Sequence, residues 1–90
     1  MTDAGQIKLA LSEIVSILRA GGNENWLRSI ENFRAQMEDD PIATPPRILS
    51  IFGGMGSFND LILYKNGQPL SKENEQLDRL RSKLYDLCHG

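Results

Sequence analysis

The apolar positions of this chain fall into stripes with a helical period. Ile7, Leu11, Ile14 and Leu18 stand at steps of four, three and four, and Val15 widens the same face. That spacing predicts a helix over about 4–20 with one side in a core, closed by Gly21-Gly22. A second stripe, Trp26, Ile30, Phe33 and Met37 with Leu27 beside it, predicts a helix over 24–39 capped by Asn23. Trp26 lies on that stripe and reads as core, with its indole N–H near a polar boundary. The acidic run Glu38-Asp39-Asp40 sits at the unfavourable end of the helix dipole, and Pro41 blocks continuation.

The segment PPRILSIF predicts a short helix over 46–52 with Thr44 as its cap. Ile48, Leu49, Ile51 and Phe52 make that helix nearly all apolar, so burial on more than one side is expected. Ser57 then precedes Asp60 by three residues, the spacing of a capping box, which predicts a helix over 58–64. The apolar run Leu61 to Tyr64 also reads as a strand that Asn66-Gly67 would turn into a hairpin, against which Pro69 in the second arm counts. A last stripe, Leu77, Leu80, Leu84 and Leu87, predicts a helix over 72–88 capped by Ser71. The expected fold is all-α. It is a single domain, 1–90, built as a small bundle of four to five helices with a glycine-rich loop between a short buried helix and the next segment.

Charge narrows the function. Ten Lys and Arg against twelve Asp and Glu leave a net charge of -2, with the two signs mixed along the chain. Nucleic-acid binding needs a basic face, so that class is disfavoured. The densest basic group, Arg79, Arg81 and Lys83, shares its segment with Glu75, Asp78 and Asp86 and reads as a solvated helix face. No apolar run is long enough to span a bilayer and no secretory leader pattern precedes the first helix, so a cytoplasmic protein without a membrane partner is expected. The single cysteine, Cys88, permits no internal disulfide and reads as a small buried hydrophobe.

Catalytic chemistry finds little support. His89 is the only histidine and stands next to the last residue, where a general base is hard to hold in place. The alternating oxygen ligands of a calcium loop are absent, and the adjacent Asp39 and Asp40 suit a solvated helix end. No catalytic residue, no metal site and no cofactor are expected, and the chain does not read as an enzyme.

The segment FGGMGSFNDL, residues 52–61, is unlike the rest. Gly53, Gly54 and Gly56 shape the loop. As a phosphate cradle it lacks the lysine that the phosphate-loop pattern requires, because Gly56 is followed by Ser57. A small anionic ligand on backbone N–H groups is therefore the weaker reading. A structural turn that sends Phe58 into the core is one stronger reading. The other is a protein-contact loop with Met55, Ser57, Phe58, Asn59, Asp60 and Tyr64 as candidate partner contacts, apolar anchors set among hydrogen-bonding groups.

GGMGSFNDL at 53–61 resembles the signature of a family of small bacterial helical domains of uncharacterised activity. The resemblance extends from ILRAGG at 17–22 through RILSIFGGMGSFNDL at 47–61 to EN at 73–74 and LRSKLYDLC at 80–88. It implies a helical fold and, by the company such domains keep, an immunity or antitoxin-like role in which a partner toxin or enzyme is blocked sterically. Glu38, Asp39, Asp40 and Asp60 would supply an acidic face to a basic partner. A homodimeric structural or regulatory module, formed through an exposed leucine face on the first or last helix, is the alternative.

Overall fold

A computed structural model describes residues 3–53 and 56–89. Within them four helices form one bundle, with a two-stranded hairpin inserted before the last: α1 (Ala4–Gly21), α2 (Glu24–Asp39), α3 (Thr44–Leu49), β1 (Tyr64–Lys65), β2 (Gln68–Pro69) and α4 (Ser71–His89). Short 3-10 turns at Ser50–Phe52 and Phe58–Asp60 flank the glycine-rich stretch. The all-α expectation holds in this coarser form.

The long helices form where the stripes predict them. Asp3 caps α1 by accepting from Gln6 N–H at 3.1 Å, and Asn23 caps α2 by accepting from Trp26 N–H at 3.0 Å. Gly22, at φ 72°, donates to Arg19 O while Asn23 N–H donates to Leu18 O, which satisfies two of the last carbonyls of α1 in a Schellman closure. The next chain direction is therefore reversed. Ion pairs Lys8 to Glu38 and Arg19 to Glu31, with Arg34 reaching Ser12, run in opposite residue order and set α1 and α2 antiparallel. Ile7, Leu11, Ile14, Leu18, Ile30, Leu77 and Leu84 lose all contact with solvent between α1, α2 and α4. Each such side chain contributes on the order of 1.5–3 kcal/mol of burial.

Several local expectations are corrected. The helix expected over 46–52 begins earlier, at Thr44, and passes into a 3-10 turn at Ser50. Thr44 is its first residue, and its hydroxyl donates back to Asp40 O at 2.7 Å instead of capping forward. Asp40 does the local capping, its carboxylate accepting from Ala43 N–H at 3.0 Å. Thr44, Pro45 and Ile48 of α3 are buried while Pro46 and Arg47 face solvent, so this helix buries one side only. Leu70, not Ser71, stands at the cap of α4, because its carbonyl accepts from Asn74 N–H at 2.8 Å.

The helix expected over 58–64 survives only as the 3-10 turn Phe58–Asp60. Leu61 is already extended (φ -67°, ψ 126°), and the hairpin reading of the same residues is the one realised. Tyr64 faces Pro69 and Lys65 faces Gln68, with Asn66 and Gly67 both at positive φ in a tight primed turn.

Cys88 is buried on the inner face of α4, as its neighbours in the stripe require. Burial pushes its thiol from an ordinary 9.0 up to about 11. The fold favours the protonated thiol, so this contribution to stability is complete below pH 9 and is lost as the pH rises toward 11. Alkylation of the native protein at pH 8 is expected to run roughly 100-fold slower than that of the urea-unfolded chain. Comparable rates in the two states would place the thiol in solvent.

Candidate functional site

The glycine-rich stretch leads from the end of α3 into the turn at Phe58 and then the strand β1. Gly54 and Met55 lie outside the described residues, so the expectation for Met55 as an anchor and for Gly54 as a loop former falls there too. Gly53 takes an extended conformation that any residue adopts, whereas Gly56 sits at φ 74° with open space where a Cβ would be. Of the described loop glycines, Gly56 is the one whose backbone needs glycine.

From Gly56 onward the segment is held by side chains. Gly56 N–H donates to the Asp60 carboxylate at 3.0 Å, closing the turn on itself. Asp60 thus reaches one residue further back than a capping box requires, and Ser57 makes no side-chain cap bond. Asn59 donates its amide to Phe52 O at 3.2 Å, tying the two ends of the glycine-rich stretch together. Phe58 is fully buried. Its ring lies 5.0 Å from Trp26 and 5.8 Å, edge to face, from Phe52, and Phe52 continues the aromatic series to Tyr85 at 5.5 Å. Phe58, expected among the partner contacts, is therefore corrected to a core anchor: it has no surface to offer and acts by fixing the turn above it.

Two residues of α4 complete the hold, and sequence reasoning assigned neither to it. Arg81, expected on a solvated face, is only 6% exposed. One of its terminal nitrogens donates to Phe58 O at 2.7 Å and to Leu61 O at 2.9 Å, and the other pairs with Asp78. Its guanidinium carbon also stands 5.8 Å from the centre of the Phe58 ring. In a continuing helix those two carbonyls would accept from residues 62 and 65; Arg81 takes them instead, and the chain leaves the helix. Asn74 does the same for the strand. Leu63 N–H donates to its side-chain oxygen at 2.7 Å, and its amide donates to Leu63 O at 3.1 Å, so one side chain satisfies both backbone groups as a neighbouring strand would. The signal for Arg81 was its register: Leu77, Arg81, Leu84 and Cys88 are four, three and four residues apart on one face.

What stays exposed is a ridge from Ser57 to Tyr64, above the buried Phe58 and Leu63. Asp60 and Asn59 are exposed, Ser57 is half-buried, and Ile62 and Tyr64 are 54% and 55% exposed. Along one flank runs a groove of about 350 Å³ bounded by Trp26, Gly56 and Ser57, and along the other one of about 590 Å³ bounded by Pro69, Asn74, Glu75 and Asp78. The remaining members of the expected acidic face lie apart from it. Glu38 pairs with Lys8 at 3.0 Å, Asp40 caps its own turn, and neither lines the clefts beside Asp60. His89, at the end of α4, stacks on Tyr85 at 5.8 Å. Among the described residues no group of three metal-ligating side chains converges, and no helix is long and apolar enough to cross a membrane.

Replacing Arg81 by Ala removes two bonds to carbonyls under the ridge, leaving Leu61 O without its donor and Phe58 O with Leu61 N–H alone, and an expected loss of about 3 kcal/mol follows. Asp78 is largely exposed, so Asp78→Ala is expected to cost no more than about 1 kcal/mol. Urea unfolding of the two variants checks the contrast. Equal losses would place the energy in the ion pair and not in the carbonyl bonds.

Comparison with curated proteins and with solved structures finds no match. Residues 19–71 match the family described as Domain of unknown function (DUF6966), a stretch that runs from the end of α1 through the ridge and hairpin to the first residue of α4. With well over half of its length inside that match, the chain belongs to the DUF6966 family.

Proposed function

We propose that this protein is a small protein-binding domain whose recognition surface is the ridge from Ser57 to Tyr64. The observation that carries this reading is that the segment is held from beneath by Arg81, Asn74 and Phe58 while presenting Ile62 and Tyr64 outward. A surface already ordered before contact loses little freedom on binding, which leaves more of the contact energy as affinity. Large apolar groups beside Asn59 and Asp60 have the composition of an interface centre with a polar rim. Such a domain acts by occupying a partner's surface, and steric blockade of a toxin or enzyme, as an immunity or antitoxin-like protein performs it, is the mode that suits its size.

The other readings find less to stand on. Five large apolar residues are exposed among the described residues, Leu9, Ile42, Ile62, Tyr64 and Tyr85. Of these, Ile62 and Tyr64 on the ridge stand two residues apart and the rest lie more than twenty residues from one another. In α1 and α4 the fully buried members Leu11, Leu18, Leu77 and Leu84 are spent on the core, which leaves Leu80 and Leu87, both partly buried, and the exposed Leu9 as the leucines a homodimer would use. A small anion at the glycine-rich turn would compete with the Asp60 carboxylate for Gly56 N–H and meet its charge.

The test is co-purification of the tagged protein with a stoichiometric partner. The double variant Ile62→Asp, Tyr64→Ala is expected to lose that partner, while Ile42→Asp, on the connector before α3, retains it. Both variants are expected to unfold within about 0.5 kcal/mol of the parent, because the changed side chains are exposed. Retention of the partner by the ridge variant would remove the ridge from recognition.

A further inference from the structure

We infer that the outer edge of β1 takes up an extended segment of a partner protein as an added strand, with a basic side chain of that segment beside Asp60. This inference rests on the ridge being the recognition surface and specifies how it recognises.

The hairpin register determines which backbone groups are free. Tyr64 faces Pro69, which has no N–H, while Leu70 N–H donates to Leu63 O at 2.9 Å. Tyr64 and Pro69 are therefore a non-hydrogen-bonded pair, and the N–H and C=O of Tyr64 point away from β2. Leu63 directs both of its backbone groups inward, to Asn74 and Leu70. Ile62, one residue earlier in the extended stretch, presents its own on the same outer side as Tyr64. Among the described residues nothing bonds to the N–H or C=O of Ile62, nor to the outward groups of Tyr64.

The two edges of the hairpin differ. Pro69 lies on β2 with its ring nitrogen on the outer side, where a missing N–H denies an incoming strand a donor. Among the described residues no proline, bulge or covering element protects Tyr64 of β1 or Ile62 just before it, and the groove of about 350 Å³ lies alongside them. That groove has the Trp26 indole and Ser57 on its far side and Asp60 at one end, with no basic side chain lining it. A strand laid in it would have its backbone paired to Ile62 and Tyr64. Its alternate side chains would lie beside the side chains of those two residues. The same face ends at the Asp60 carboxylate, one of whose oxygens is taken by Gly56 N–H; among the described residues nothing bonds to the other, which suits a Lys or Arg. The charge of the groove thus selects a basic occupant. A second copy of this chain brings Ile62 and Tyr64 but an Asp60 of the same sign, and a paired edge this short buries far less than the roughly 1,200 Å² of a stable interface.

The probe is acetyl-Arg-Thr-Val-Thr-Val-Thr-Arg-amide, basic at both ends so that either strand direction can be met, titrated into the nitrogen-15-labelled full chain. Saturable displacement centred on the Ile62 and Tyr64 amide resonances is expected, and it is expected to vanish with peptides N-methylated at alternate residues along the paired edge. A peptide with Glu in place of Arg, or the variant Asp60→Asn, which keeps an acceptor for Gly56 N–H, is expected to weaken binding about threefold. The inference is overturned by an undisturbed spectrum at millimolar peptide, by N-methylated peptides that bind as well, or by equal affinity for the Glu peptide. Displacement of the same resonances on concentrating the protein alone would assign the edge to a second copy and overturn it too. If the peptide fails while Ile62→Asp, Tyr64→Ala still releases a co-purifying partner, the ridge stands as the recognition surface and strand addition falls.

Discussion

The Arg81 guanidinium beneath the carbonyls of Phe58 and Leu61 is the contact on which the upper half of the molecule depends. A buried cation is costly unless its donors are met, and here backbone oxygens and one carboxylate at the surface meet them. The dependence is mutual. Without the turn at Phe58, Arg81 has no acceptors inside; without Arg81, the carbonyl of Leu61 loses its donor and that of Phe58 keeps only Leu61 N–H. The turn that follows the glycines is fixed at Phe58 and Leu61 by this pairing.

Helix α4 therefore serves two functions along one face. Leu77, Leu84 and Cys88 pack into the bundle in the usual way, while Asn74 and Arg81, seven residues apart and so two turns along the same side, reach up to the backbone of the ridge. The core and the candidate recognition surface share a helix. Whatever stabilises α4 in the bundle also orders the ridge, and the ridge has no independent folding unit of its own.

The long helices were legible because their information is local. The stripes, the Asn23 cap and the block at Pro41 all lie within a few residues of what they determine, and α2 falls at 24–39 as read. The segment 58–64 was misread as helix because its deciding partners stand far along the chain. Arg81 lies 23 residues from Phe58, and Asn74 lies 11 from Leu63. Both belong to segments whose resemblance to the family was visible, but a charge pattern alone could not tell a solvated arginine from one turned inward. The candidate site was legible as a stretch of sequence and not as a surface. Ser57, Asn59, Asp60 and Tyr64 remain at it, Phe58 moves beneath it, and Ile62 joins it, because a strand exposes alternate residues where a helix would have exposed others.

The chain carries a single tryptophan, and that residue stands 5.0 Å from the ring on which the ridge is seated. Its half-buried indole forms one wall of the groove beside Ile62 and Tyr64. Intrinsic fluorescence of this protein is thus an optical gauge of one place: the seating of Phe58 from below and the filling of the groove from above both change the surroundings of the same fluorophore, with no label attached.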